Sequence, residues 1–260
     1  MEYAIVCVVS FFASGLTLFS GFGLGTILTP VLAIFFPVPV AVGATAVVHL
    51  ANNLFKIVLV GRNANKGIVL RFGIPAVIAA FAGALLLNAV SAMPALAGYS
   101  LGARACEITL VKLMIGILII FFACLELIPR FQKAAIDQKY LPIGGILSGF
   151  FGGLSGHQGA FRSMFLLKTG IGKEEFISTN VVLAVIVDIG RLAVYGAGFY
   201  AANFEMKVGI GELIMAATIA AFLGAYLGKT LIKKVTLRGV QILVGVMLIL
   251  LGLGLSVGLI

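Results

Sequence analysis

Apolar residues in this chain come in long runs, not in the short alternations of a soluble fold, and the runs recur from end to end. A helical run of about 20 apolar residues spans roughly 30 Å of hydrocarbon. Read on that scale, the first part of the chain predicts an opening segment over 3–36 and helices over 38–60, 72–90 and 107–129. The second part predicts an opening segment over 140–168 and helices over 176–200, 208–229 and 238–258. Each opening segment is too long for one crossing, at roughly 51 and 44 Å if drawn as a single helix. Each also carries a glycine cluster: Gly21, Gly23 and Gly25 in the first, and Gly149, Gly152, Gly153, Gly156 and Gly159 in the second. Both predict a broken helix or a hairpin of shorter helices.

The two parts repeat each other. Ser14-Gly15 matches Ser148-Gly149, and Ala79-Ala80-Phe81-Ala82-Gly83-Ala84 matches Ala220-Ala221-Phe222-Leu223-Gly224-Ala225. Lys56 falls opposite Arg191, and Lys112–Gly116 opposite Gln241–Gly245. The order of the blocks is the same in both, which indicates a duplication. The predicted organisation is a membrane repeat over 1–129, a basic cytoplasmic linker over 130–140 and a second repeat over 141–260. The fold class is an all-α polytopic membrane protein, each repeat being a Gly-broken segment plus three transmembrane helices.

Charge sets the relative orientation. If each opening segment crosses once, the loop cations divide seven to seven. If each returns to the side it left, the stretches 62–71, 130–139, 168–173 and 229–238 fall together with twelve basic residues, against Arg104 and Lys207. The second arrangement obeys the positive-inside rule. It inverts one repeat relative to the other and puts both termini on the non-cytoplasmic side. Inverted repeats with broken helices are a recurring plan for secondary transporters.

Composition agrees with this picture and narrows it. The chain is 62% hydrophobic and 10% charged, where a soluble domain carries about a quarter charged residues. The net charge of +9 sits in loops between apolar runs, so it implies no nucleic acid. Cys7, Cys106 and Cys124 lack the spacing of a zinc site or a disulfide framework. With no basic region at the N-terminus, residues 3–20 read as a retained span. No cofactor, metal or catalytic set is indicated, and a homodimer stays open.

Four cations remain inside predicted spans or at their ends: Lys56, Lys112, Arg162 and Arg191. Ionisable groups there are costly and mark pathways or pair with one another. Thr45, His49, Asn52, Asn53 and Lys56 recur at steps of three and four, which puts them on one face of 38–60. Asn180, Asp188, Arg191 and Tyr195 do the same on 176–200. A network serving stability alone, with Asp188–Arg191 as a local ion pair, is the plainer account of these stripes. The break at Gly156-His157-Gln158-Gly159, followed by Arg162, offers free N–H groups, a helix N-terminus and a guanidinium to an anion.

The Gly21-Phe22-Gly23-Leu24-Gly25 block followed by Pro30, paired with the glycine-rich stretch of the second half, resembles the TauE/SafE sulfite exporter family. The resemblance implies transport of small sulfur-containing anions such as sulfite, sulfonates or sulfoacetate across a prokaryotic inner membrane. Where that family's second block reads as a glycine run leading to a proline, this chain has His157-Gln158 and then Arg162. The departure bears on the ligand and not on the fold. The reading is therefore a secondary transporter of small anions. Lys56, Arg162 and Arg191 would offset the charge, and His49, Asn52, Asn53, His157 and Gln158 would add directional hydrogen bonds. Asp188, beside Arg191, completes the candidate set and, with the histidines, admits proton coupling. A proton-coupled carboxylate carrier is the first alternative. An intramembrane metal enzyme and a non-transporting assembly partner are weaker ones.

Overall fold

A computed structural model describes residues 1–16, 23–60, 63–102, 104–128, 130, 136–198, 209–231 and 237–260. Gly21, Phe22 and Lys207 of the preceding section lie outside the described residues, as do Arg62, Lys133, Lys233 and Lys234 of its basic stretches. The first five helices are α1 (Glu2–Leu16), α2 (Leu24–Ala33), α3 (Val38–Val60), α4 (Lys66–Ser91) and α5 (Leu110–Leu127). The next five are α6 (Leu141–Ser155), α7 (Gly159–Leu166), α8 (Lys173–Gly198), α9 (Ile210–Leu231) and α10 (Leu237–Ser256). Val38–Leu59, Lys66–Ser91, Leu110–Leu127, Lys173–Gly196 and Ile210–Gly228 are long and apolar enough to cross a membrane. The chain is an all-α polytopic membrane protein, with a single small departure among the described residues. Between α4 and α5, residues predicted as connection and helix start form an antiparallel hairpin of β1 (Ala95–Leu101) and β2 (Arg104–Thr109).

The distribution of side chains is that of a protein dissolved in lipid. Leu70, Ile74, Ile78, Phe81 and Leu85 form an exposed apolar stripe along α4, at helical spacing. The opposite face of α4 is buried and mostly small, with Phe72, Ala76, Ala80 and Ala84. Without a hydrophobic drive between helices, close packing of small residues holds a membrane bundle together. Gly145, Gly149 and Gly153 of α6 lie against Phe72, Ala76 and Ala80 of α4, leaving no room for a Cβ. Because these numbers rise together, the two helices are parallel.

The same reading fixes the other directions. Phe11 and Gly15 of α1 meet Gly224 and Gly228 of α9, so that pair is parallel too. Gly116 of α5 meets Gly252 and Ser256 of α10, while Leu127 meets Gly245, so that pair is antiparallel. Gly73 and Gly190 set α4 and α8 parallel through Leu183, Ile186, Val77 and Ala80. Both termini and the β-hairpin consequently share one side with the C-terminal ends of α2 and α8. The ends of α3, α5, α7 and α9 share the other. Exchanging the first five helices for the last five turns the α1–α9 contact into α6–α4 and the α3–α9 contact into α8–α4. The contacts α3–α8 and α5–α10 map onto themselves.

The second opening segment is a hairpin of half-length helices, the second of the two forms expected. Ser148 Oγ donates to the Gln158 carbonyl at 2.8 Å, Gly152 lies beside Gln158, and Gly144 lies beside the Phe165 ring. The turn is made at Gly156, whose φ of +83° is the left-handed region that ends helices and favours glycine. In the first half, α1 and α2 pack on each other as two short helices. Elsewhere the turns are pinned by side chains. Asn65 caps α4 by accepting from the Ile68 N–H at 3.0 Å, and its Nδ2 donates to Glu175 Oε1 at 2.7 Å.

Candidate functional site

Helices α3 and α8 pack together at the centre of the bundle and carry the two polar stripes. All nine residues singled out in the sequence are buried. Asp188 is the hub of the larger cluster. His49 Nδ1 donates to its Oδ2 at 2.6 Å, across from α3. Gln158 Nε2 donates to its Oδ1 at 3.0 Å, from the turn between α6 and α7. Arg191 Nε and Nη2 donate to the same oxygen at 3.0 and 2.7 Å. A carboxylate only accepts, so the proton of this short contact belongs to His49 Nδ1. Asn53 Nδ2 then donates to the His49 carbonyl, at 2.9 Å.

From Gln158 the network continues onto α7. Arg162 Nη1 donates to Gln158 Oε1 at 2.8 Å, and Arg162 Nε donates to Asn180 Oδ1 of α8. Gln158 thus joins the Arg162 guanidinium to the Asp188–Arg191 pair. Arg191 Nη1 reaches back to the Gly152 carbonyl at 3.4 Å, and the Tyr195 hydroxyl donates to the Gly153 carbonyl. These bonds tie α8 to the last turn of α6, just before the chain reverses. His157 stacks on Phe122 of α5, ring centres 5.1 Å apart, with Nδ1 donating to the Ser155 carbonyl at 3.1 Å.

Asn52 and Lys56 turn elsewhere. Ser14 Oγ donates to Asn52 Oδ1 at 2.9 Å, and Lys56 Nζ lies 3.5 Å from the Ser14 carbonyl, both contacts to α1. Lys56 stands two turns from His49, about 10 Å along the axis at 1.5 Å per residue. The stripe expected to act as one surface therefore serves two neighbours. His49 and Asn53 face the Asp188 cluster, and Asn52 and Lys56 face α1. The Asp188–Arg191 pair is present as expected, but it is a junction between helices and not a local pair alone. Lys112, one of the four cations set apart in the sequence, lies at the start of α5, where its Nζ donates to the Glu107 carbonyl at 3.2 Å. Glu126 is buried while Arg130 is exposed.

Sequence reasoning left two residues of this region without a role. Thr29 was not singled out, and Thr45 was placed on the stripe but not in the site. Both are 0% exposed, and neither hydroxyl has a hydrogen-bond partner among the described residues. They lie where the two breaks touch. A Cβ on Gly25 would stand 3.1 Å from the Gly156 carbonyl oxygen and 3.7 Å from the Thr45 methyl. The spacing of Gly25 and Thr29, one turn apart on one face, was the available signal.

Residues 6–255 match the family described as Sulfite exporter TauE/SafE, which is nearly the whole chain. The chain belongs to that family. No curated protein and no solved structure matches it. Membership in the TauE/SafE family makes the protein a multi-pass membrane transporter of sulfite-type sulfur anions at the level of the family. Its buried cations, acid and amides stand at the junction of both halves of the matched region.

Proposed function

We propose that this TauE/SafE member is a secondary transporter whose substrate is a small sulfur oxyanion or organosulfonate. Its two five-helix sets act as inverted repeats, and the anion binds where the two breaks meet between α3 and α8. The observation that carries this reading is the Asp188 junction. It gathers Arg191, His49 and, through Gln158, Arg162 from both halves of the chain, in a place where each buried ion is costly. A cluster with more positive than negative groups stands next to two half-length helices whose N-termini lie at the turns. Such ends favour anions. Rocking of one repeat against the other would expose the site to each side in turn. The basic side, with the ends of α3, α5, α7 and α9, would face the cytoplasm of a prokaryotic inner membrane.

The test is flux in proteoliposomes loaded with sulfite or sulfoacetate, with acetate and lactate as competitors. Sulfur anions are expected to compete more strongly than carboxylates, and the reverse order would favour the carboxylate carrier. Replacing Arg162→Gln removes one charged hydrogen-bond donor from the cluster and is expected to lower flux by at least about tenfold. Full flux in that variant would remove Arg162 from the transport path.

A further inference from the structure

Each five-helix set lends its fourth helix to the other. α4 packs chiefly on α6 and α8, and α9 chiefly on α1 and α3, so two four-helix bundles form across the sets. One holds α1, α2, α3 and α9, the other α6, α7, α8 and α4. Within each, backbones touch through glycine, as at Gly224 on Phe11 and Gly153 on Ala80. Helices packed that closely move as a unit. The second bundle also has a core of its own toward the basic side. Phe72, Ala76 and Ala80 share it with Leu141, Phe165 and Leu183, and no described residue of α1, α2, α3 or α9 enters it. Toward the termini, Ala84, Leu87 and Tyr195 join the core of the first bundle, so the two rest on each other there.

Polar contacts sort the same way. In the first bundle, Asn52 and Lys56 of α3 turn to Ser14 of α1, and the Tyr3 hydroxyl of α1 donates to the Gly209 carbonyl before α9 at 3.0 Å. In the second, Gln158 and Arg191 hold Asp188, Arg162 holds Asn180, and Asn65 at the start of α4 holds Glu175 of α8. Of the side-chain hydrogen bonds given above, the 2.6 Å contact of His49 Nδ1 with Asp188 Oδ2 alone joins one bundle to the other. The seam between the bundles is α3 against α8, where the candidate site lies.

Resting on the anion-carrier reading above, we infer that the bodies that move in transport are these exchanged bundles, and not the proposed repeats as they run in sequence. They part along α3 and α8, through the His49–Asp188 contact. Packed units switch as wholes, and the boundary that yields is the one with the fewest tight contacts across it. Parting the two repeats would instead strip α4 from α6 and α1 from α9, where backbone lies on backbone. Motion along the α3–α8 seam leaves those contacts intact and reaches the candidate site directly.

The experiment uses the full chain without native cysteines in proteoliposomes. Sulfoacetate and methanesulfonate are the transported probes, because sulfite itself cleaves disulfides. Two cysteine pairs each tie one repeat to the other inside a single bundle. Asn65→Cys with Thr179→Cys joins α4 to α8, where the Asn65 N–H donates to Thr179 Oγ1 at 2.9 Å, near enough for a direct disulfide. Phe55→Cys with Phe222→Cys joins α3 to α9 in place of two stacked rings with centres 4.7 Å apart, through a short reagent that forms a disulfide at each end. Cleavage at a protease site introduced in the 130–140 linker shows on a gel whether the halves stay joined. Linking is expected to change the flux of each reduced variant by less than about twofold, far from the loss a blocked step brings. Two pairs in two bundles keep the test decisive should one variant fail to fold. Flux that stops on linking and returns with reductant overturns the bundles and leaves the carrier reading standing. No flux of either probe in the wild type overturns the carrier reading, and the bundles with it.

Discussion

At the scale of single residues the molecule turns on Asp188, which answers a guanidinium, an imidazole and an amide from a fully buried position. Replacing Asp188→Asn keeps an acceptor oxygen but deletes the charge that opposes Arg191. Uncompensated buried charge of this kind costs about 3–5 kcal/mol. The expected result is a marked fall in melting temperature in detergent, partly recovered when Arg191→Gln is added. A double-mutant cycle showing no coupling between the two would contradict the junction. Which residues would be buried and polar was legible in the sequence, because steps of three and four put Thr45, His49, Asn52, Asn53 and Lys56 on one side of a helix that lipid cannot touch. Their partners were not legible. A polar stripe that wide faces two neighbouring helices, and periodicity does not say which one each side chain chooses. Thr29 escaped notice for a related reason. A Thr in an apolar run looks like packing until its hydroxyl is seen to have no partner among the described residues.

Helices in this bundle are sorted by how closely their backbones approach. On α6, Gly149 touches the Ala76 backbone, so Gly149→Ala forces α4 and α6 apart. Overpacking of this sort costs about 1–3 kcal/mol. On α3, a Cβ at Gly43 meets nothing within 4 Å, and Gly43→Ala is expected to stabilise by about 1 kcal/mol through helix propensity alone. Thermal unfolding of the two variants side by side should give shifts of opposite sign. Most elements could be drawn from the sequence, and α3 covers its expected 38–60 as a single apolar run carrying one polar stripe. The β-hairpin could not. Ala95–Leu101 is exposed along its whole length, so no buried face imposes the alternation by which a strand is recognised. The double helix at each opening segment was one of two forms that the glycines allowed, and it was the loop charge, not the glycines, that favoured a chain returning to the side it left.

Taken whole, the molecule puts both termini on one side and most of its described loop cations on the other. Cysteines placed at Glu2→Cys and Gln138→Cys in a background without native cysteines should respond differently to a membrane-impermeant maleimide applied to intact cells. The first is expected to label and the second to stay protected until the cells are opened. Labelling of both from outside would refute the proposed orientation. If the two halves work by trading conformations, perfect likeness between them would make the inward and outward states degenerate. The hairpin would break that degeneracy. Residues 92–109 join α4 to α5, with the Tyr99 hydroxyl fastened to the Val257 carbonyl at 2.7 Å, whereas the link from α9 to α10 has only the five residues 232–236. Under the proposed mechanism, a ribbon tied to the end of α10 would be strained by different amounts in the two states. Trimming it would then shift which way the resting protein faces.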